Sequence, residues 1–442
     1  MNYTKFGIVS LLLALSLVLA ACPAPTAPPA ADGDMAGEDA DDGDMAGEDA
    51  DDDDMAMAGC EDELGCIEVA AGAPIEVVGM GPYSGPVAFL GEDSKGGIEL
   101  ATAARGEIMG HEVVLSFEDS TCNAEGGQTA AQKVAANPNV TGVIGTSCSG
   151  AAAAALPVLS AAGMLMISPA NTSPMLTNAN PDDGGLWLPG YYRTAHNDLF
   201  QGGMAAQYAY EELGARTAAT IHDGDPYTDG LQGAFADAFA ALGGEVLYQG
   251  AINKGDTDMR PILTEISSNA PDIMYYPLFE PEVNFMVAQK GEFAELAETV
   301  SFLADAALVD AFPENTGDAV LGVYLSGPYL EPEGPYVDLL AAWEAEYGGV
   351  PPSGFHAHAY DATNMLFDAI EAVGVDNGDG SLTIGRMALR SYLDNLSGFE
   401  GLTGVLTCNE TGDCATGEAL GVYQISQAEL DGAWPPAVLW QP

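Results

Sequence analysis

The sequence predicts an α/β protein built as two doubly wound lobes, and three observations carry that expectation. Short runs rich in Val, Ile and Leu alternate with alanine-rich stretches of helical length. That alternation runs from Ile75 to Ile167 and starts afresh after Asp198. The chain beyond its acidic N-terminal segment, about 375 residues, is longer than one hydrophobic core usually organises.

In the first run the expected strands are Ile75–Met80, Glu112–Phe117, Val140–Ile144 and Met164–Ile167, with helices near 93–106, 123–136 and 151–162. The second run predicts a helix after Asp198 and strands at Thr217–Ile221, Glu245–Gln249, Asp272–Tyr276 and Val300–Leu303. A helix near 228–242 and others between the later strands connect them. Short apolar runs joined by crossover helices mean parallel strands. In open sheets of this kind ligands bind beyond the carboxyl ends of the strands, so the loops that follow the strands are the candidate site.

The N-terminus has a different composition. Lys5 precedes a mostly apolar run, Phe6–Ala20, and Leu19-Ala20-Ala21-Cys22 ends it with small residues before a cysteine. A run this short reads as a secretory signal over residues 1–21 rather than a membrane span. Leu-Ala-Ala-Cys resembles a bacterial lipobox, which implies acylation of Cys22 and an extracytoplasmic protein anchored by lipid. An ordinary signal peptide with an incidental cysteine is the plainer alternative. From 23 to about 59 there is no basic residue, and the unit Asp-Gly-Asp-Met-Ala-Gly-Glu-Asp-Ala-Asp occurs at 32–41 and again at 42–51. Like charges and scarce apolar area predict an extended, disordered tether, with Cys22 and the tether occupying 22–72. The repeats lack the carboxylate spacing and terminal bidentate glutamate of a calcium loop, and the unit is too short and polar for a solenoid.

The 66 acidic and 11 basic residues give a formal charge of −55. Setting aside the 16 acids of residues 32–63 and Lys5 leaves 50 acids against 10 bases, about −40. Such a field repels nucleic acid and anionic membrane surfaces and disfavours a polyanionic ligand. With Cys22 assigned to lipid, six cysteines remain as Cys60/Cys66, Cys122/Cys148 and Cys408/Cys414. A secreted chain supports disulfides. Two of these pairs are local, and the third joins adjacent loops in the predicted layout. Closing the 122–148 loop contributes about 3–4 kcal/mol through chain entropy if unstrained. No cysteine has Cys-x-x-Cys spacing or a neighbouring histidine pair, so neither zinc nor any other metal or cofactor is expected.

The loops carry a resemblance. Gly81-Pro82-Tyr83-Ser84-Gly85-Pro86-Val87-Ala88 follows the first strand, and Gly145-Thr146-Ser147-Cys148-Ser149 the third. Ser168-Pro169-Ala170-Asn171-Thr172-Ser173-Pro174 follows the fourth, and Tyr192-Arg193-Thr194 leads to Asp198 and Gln201-Gly202. Ile221-His222-Asp223 with Tyr227 and Gly230-Leu231 opens the second lobe, and Phe399-Glu400-Gly401-Leu402-Thr403-Gly404 comes late. Together, from about Ile75 to about Gln424, these motifs resemble the leucine/isoleucine/valine-binding family of type I periplasmic solute-binding proteins. The resemblance implies three crossovers near residues 197, 326 and 420. The first lobe is then 73–197 plus 326–419, and the second 198–325 plus 420–442. It also implies a cleft that closes on ligand, and a monomeric protein without chemistry of its own. Such a protein delivers a branched-chain or related small amino acid to the permease pair of an ABC importer.

Position by position, the family's carboxylate-binding serine falls on Ser149, directly after its disulfide cysteine at Cys148, whose partner falls on Cys122. A helix start is a sound place for a carboxylate, because unpaired N–H groups and the helix dipole favour an anion there. The residues that hold the ligand's carboxylate and ammonium fall on Ala170 and Thr172. The ring that covers the ligand from the second lobe falls on Tyr227, a second aromatic on Phe279, and the acidic partner of the ammonium on Asp305. Leu90 stands where branched-chain binders carry a tyrosine, which bears on the ligand's side chain. Each residue has a plainer role: Ser149 as an N-cap, Thr172 as a turn residue, Tyr227 and Phe279 as packing, Asp305 as a surface acid. His356 and His358 are too close in sequence to share a helix face and read as helix-start or surface residues.

Two rivals come from other classes. Gly145-Thr146-Ser147-Cys148-Ser149 lies between a strand and a helix, where a hydrolase nucleophile elbow lies, with His222 or His358 as base. Its final glycine is replaced by Ser149, and no His/Asp segments follow in the required order. The other rival is a ligand sensor of the same fold that works without a transporter.

Overall fold

The structure is a computed structural model that describes residues 60–415 and 419–442. The leader, Cys22 and the acidic repeats up to residue 59 lie outside the described residues.

β1 (Cys66–Val69) precedes the first sheet. That sheet is built from β2 (Ile75–Gly81), α1 (Phe89–Arg105), β3 (Val113–Asp119), α2 (Ala124–Ala135) and β4 (Val140–Gly145), then α3 (Ser149–Ala161), β5 (Met166–Ser168) and β6 (Tyr191–Arg193). The order is β3-β2-β4-β5-β6, parallel throughout, with Ile75 opposite Val113 and Val143 opposite Met166. β2 and β4 are central and almost wholly buried, which is why Ile-Glu-Val-Val-Gly-Met-Gly and Val-Thr-Gly-Val-Ile-Gly carry so few polar side chains.

The second lobe starts with α4 (Asp198–Gln207), β7 (Thr217–His222), α5 (Pro226–Ala241), β8 (Glu245–Ala251) and α6 (Arg260–Ser267). It continues through β9 (Ile273–Tyr275), α7 (Glu282–Lys290), β10 (Val300–Leu303), α8 (Ala311–Thr316) and β11 (Tyr324–Pro328). The chain then returns to the first lobe as α9 (Pro335–Tyr347), α10 (His356–Val373), β12 (Val375–Asp376), β13 (Leu382–Gly385), α11 (Arg386–Asp394), β14 (Phe399–Gly401) and β15 (Gly404–Leu406). It ends in the second lobe with β16 (Leu420–Gln424), α12 (Gln427–Leu430) and β17 (Val438–Trp440). The second sheet has the order β17-β16-β11-β10-β9-β7-β8, with β16 and β17 antiparallel to their neighbours. Two doubly wound lobes joined by three crossovers are therefore the architecture. β11 belongs to the second sheet through Pro328, so the chain leaves that sheet two residues beyond the expected position near 326.

Several elements had no signal in the sequence. β1, β13 and β12 form a small antiparallel sheet from segments more than 300 residues apart, and strands of two to four residues are too short for a periodicity. The helices α1 and α3 begin earlier than predicted, at Phe89 and Ser149. His356 does open α10, but neither it nor His358 is a surface residue: both are buried. His356 lies against the buried Asp93, and His358 Nδ1 lies 3.0 Å from the Thr194 carbonyl. Disulfides join Cys60 to Cys66, Cys122 to Cys148 and Cys408 to Cys414. Among the described residues no helix is long and apolar enough to cross a membrane, and no cluster of three metal-ligating side chains occurs.

Candidate functional site

The first-lobe half of the site is made by the loops that follow β4 and β5. Cys148, in extended conformation, precedes α3 without giving a side-chain cap, so the first-turn N–H groups at Ser149 have no capping acceptor from it. The neighbouring loop is tied to this turn. Ser168 Oγ donates to the Thr146 carbonyl at 2.8 Å and accepts from Asn171 N–H at 2.9 Å, while Ser173 N–H donates to Ser149 Oγ at 3.4 Å.

Arg193, fully buried at the end of β6, holds the loop from behind. Its Nη1 donates to the carbonyls of Asn171 (3.2 Å) and Ser173 (2.8 Å), and its Nε and Nη2 make a bidentate pair with Asp413 (2.8 and 2.9 Å). Burial pushes the Asp413 carboxyl up, but the guanidinium outweighs it and holds the group below the ordinary aspartate range.

The second-lobe half is built around α5. Asp225 caps that helix by accepting from Tyr227 N–H at 3.0 Å, which places Tyr227 in the first turn. The Tyr227 hydroxyl donates to Asp305 Oδ1 at 3.0 Å, and Gln201 Nε2 donates to the same oxygen at 2.8 Å. Phe279 packs on Tyr227 with ring centroids 5.1 Å apart. Lys254 pairs with Asp225 at 2.7 Å and stands over the Phe279 ring.

The lobes meet. Ser173 Oγ, from the first, donates to the Pro226 carbonyl of the second at 2.8 Å. Gly150 faces Asp225, and Gly230 faces Pro174. Ala170, Tyr227 and Phe279 belong to one buried cluster with Cys148 and Leu90. All six residues expected to line a site, Ser149, Ala170, Thr172, Tyr227, Phe279 and Asp305, are thus buried around this junction. Asp305 is therefore no surface acid.

Asp198, at the start of α4, has no expected role from the sequence. It is completely buried with the buried Thr172 hydroxyl beside it, and among the described residues no other group hydrogen-bonds its carboxylate. Burial, with the nearby Asp305 adding to it, pushes the Asp198 carboxyl well above its usual range. Asp305 is also raised by burial, opposed by its bonds from Gln201 and Tyr227. Two buried carboxyl groups therefore lie close together, and among the described residues no cationic side chain is bonded to either. An acid in the first turn of a helix has an ordinary use at the dipole, which is why its role was not legible in the sequence.

The hydrolase arrangement does not form. Ser147 Oγ lies near Leu90 O and Ser94 Oγ, and Ser149 Oγ near Ser173 N–H; among the described residues no histidine bonds either serine. Burial lowers His358 to about 3, which makes it a poor base.

The sequence profile of the periplasmic binding protein family matches residues 74–429. The Leu/Ile/Val-binding protein of Escherichia coli K12 is 27% identical over 375 residues, covering 83% of this chain and 95% of its own. An amino acid binding protein of Pseudomonas aeruginosa is 28% identical over 312 residues, covering 68% and 79%. A leucine binding protein from Thermotoga maritima superimposes with a TM-score of 0.70 at 24% identity, covering 80% of this chain and 95% of its own. A solute binding protein from Rhodopseudomonas palustris in complex with benzoate superimposes with a TM-score of 0.67 at 21% identity, covering 80% and 93%. With its two sheets, its three crossovers and a profile match across most of its length, the chain belongs to the family of type I periplasmic binding proteins that includes the Leu/Ile/Val-binding proteins.

Proposed function

We propose that this protein is the solute-binding lipoprotein of an ABC importer and holds a small amino acid, branched-chain or related, between its lobes. The observation that carries the reading is the buried pair Asp198 and Asp305 beside Thr172, whose loop also bonds Ser149 at a helix start without a side-chain cap. A carboxylate suits the helix start, and an ammonium suits the acid pair; an α-amino acid presents both. In this reading the carboxylate rests on Ser149 and Thr172, and the ammonium on the Ala170 carbonyl, Asp198 and Asp305. Tyr227 and Phe279 cover it from the second lobe. Leu90, with these rings, faces the ligand's side chain. Simple aromatic acids such as benzoate lack the cation that the acid pair calls for. The lobes run 73–197 with 329–419, and 198–328 with 420–442, and the closed form is what a permease pair recognises. Delivery distinguishes this role from that of a sensor, and uptake by membrane vesicles supplied with the protein tests it.

Calorimetric titration of leucine and its deaminated analogue, 4-methylpentanoate, tests the site. A hydrogen bond to a charged group contributes about 1.5–3 kcal/mol, so Asp305→Asn is expected to weaken leucine roughly tenfold or more. The analogue should be little affected. Equal losses for both would make Asp305 structural and remove the amino-acid reading. The pH dependence has a definite sign. Asp198 and Asp305 are raised in the free protein, so an ammonium that needs them ionised releases protons on binding. Leucine affinity therefore falls as pH is lowered through the raised range, and the binding enthalpy varies with the ionisation enthalpy of the buffer.

The anchor is proposed to be acylated Cys22, which holds the protein on the outer face of a membrane. Cys22→Ser should leave a folded protein that stays in the supernatant when membranes are pelleted. Sedimentation of that variant with the membranes would rule the anchor out.

A further inference from the structure

Beside the crossover that leaves β11 lies a cavity of about 530 Å³ that shares no residue with the amino-acid cleft. Both lobes supply its walls. Tyr336 and His356 come from α9 and α10 of the first, Tyr423 and Trp434 from the C-terminal part of the second, and Tyr329 from the crossover. We propose that this cavity is a second ligand site, for a neutral aromatic molecule that carries a hydrogen-bond donor.

The size and lining suit one substituted ring. Pockets that hold small molecules run from about 300 to 1,000 Å³ and are mostly apolar, with a few placed polar groups. Four aromatic side chains and several prolines give this cavity flat walls, against which a ring stacks or packs edge to face. Its lining includes no Asp, Glu, Lys or Arg, although 17% of the chain is charged. A charged ligand would give up its hydration there without a counter-charge, which selects a neutral one.

The hydrogen-bond network decides which polar group the ligand carries. His356 Nδ1 lies 3.2 Å from Asp93 Oδ1 and 3.0 Å from the Ser353 carbonyl, both acceptors, so the ring's proton sits on Nδ1. In the neutral ring Nε2 is then an acceptor, and the Tyr336 hydroxyl, 2.9 Å away, donates to it. Asp93 is completely buried and is itself fixed by the Ser353 and Phe355 N–H groups, so this chain of bonds is rigid. The Tyr423 hydroxyl is committed in the same way, donating to the Pro328 carbonyl at 2.6 Å. Both hydroxyls have used their protons and offer only lone pairs. A phenolic O–H or an aromatic N–H meets them; an ether or a ketone does not.

The experiment titrates the full chain with 4-ethylphenol, ethylbenzene and 4-ethylbenzoate by calorimetry and ligand-observed NMR. The expected order is 4-ethylphenol at least tenfold tighter than ethylbenzene, with no saturable binding of 4-ethylbenzoate outside the cleft. Leu340→Trp fills the cavity from α9 and should abolish 4-ethylphenol binding while the melting temperature stays near that of the wild type. Should that variant fail to fold, Tyr336→Phe tests the same point: the preference for the phenol over ethylbenzene should drop by about the worth of a lost neutral hydrogen bond, roughly tenfold. Tyr227→Ala, in the cleft, should leave 4-ethylphenol binding as it was. Absence of 4-ethylphenol binding in the wild type overturns the proposal. So does a phenol preference that survives Tyr336→Phe, or phenol binding that disappears with Tyr227→Ala, which would place the ring in the cleft.

Discussion

Gly150→Leu and Gly230→Leu are each expected to yield a folded protein that binds leucine about a hundredfold more weakly, because its lobes cannot meet; that factor corresponds to about 2.7 kcal/mol. A Cβ at Gly150 would lie 2.5 Å from Asp225 Oδ2. Asp225 has little freedom to retreat: Oδ1 caps Tyr227 N–H, and Oδ2 is paired with Lys254 at 2.7 Å. At Gly230 a Cβ would lie 2.9 Å from Pro174 Cδ, part of a rigid ring, and 3.3 Å from Ser173 Oγ. In both cases the nearest atoms belong to the opposite lobe, so the clash exists only when the lobes are together. Leucine is a better helix former than glycine, and both positions are helical, so neither lobe should lose stability by itself. In the proposed site the loss is that of the second lobe's share of binding, a charge-assisted hydrogen bond at Asp305 and the rings of Tyr227 and Phe279. Gly233→Ala is the control, on the same helix as Gly230 with open space around it. Calorimetry gives the affinity, and small-angle scattering shows whether leucine still compacts the molecule. Normal affinity with normal compaction in both leucine variants would mean that this junction does not govern binding.

Arg193→Met should cost about 3–5 kcal/mol of folding stability, the range seen when one partner of a buried ion pair is removed. The guanidinium is wholly buried and donates to two loop carbonyls, to Thr177 Oγ1 and to both oxygens of Asp413. Without it the Asp413 charge keeps two side-chain donors among the described residues, Asn197 and Thr177, and is only 14% exposed to water. Adding Asp413→Asn should recover part of the loss, since the uncompensated charge is then gone. Denaturant titration reads both. In the wild type the depressed Asp413 carboxyl contributes stability that is present above its unfolded pKa, about 3.9, and is lost as pH falls through the lower folded value. The deficit of Arg193→Met should therefore narrow below about pH 4. A deficit that is constant with pH would assign the effect to packing instead of charge. Leucine binding should weaken as well, because the same guanidinium sets the carbonyls on either side of Thr172.

The strands that carry the site were legible because each is a short apolar run bounded by turn residues. Val300–Leu303 agrees at both ends, and Val140–Ile144 and Thr217–Ile221 differ by a single residue. Ser149 was legible as a helix start for the same reason, since an alanine-rich helix follows Gly145-Thr146-Ser147-Cys148 directly. The small sheet of β1, β13 and β12 was not, since its pairing is decided between Cys66–Val69 and Leu382–Gly385, which share no local pattern. Nor was the burial of His358, whose Nδ1 meets the Thr194 carbonyl across 164 positions of sequence.

Local composition thus determined what local physics controls: the alternation of strand and helix, the division into two lobes and the loops at the strand ends. Tertiary structure alone decided which distant groups are buried together. Arg193 meets Asp413 across 220 positions of sequence, and Asp198 lies near Asp305 across more than 100. The physical reason is that the cost of burying a charge depends on its surroundings and not on its neighbours in the chain. The same aspartate is an ordinary helix-start residue in a sequence and, in the fold, a buried acid beside Thr172 and Asp305.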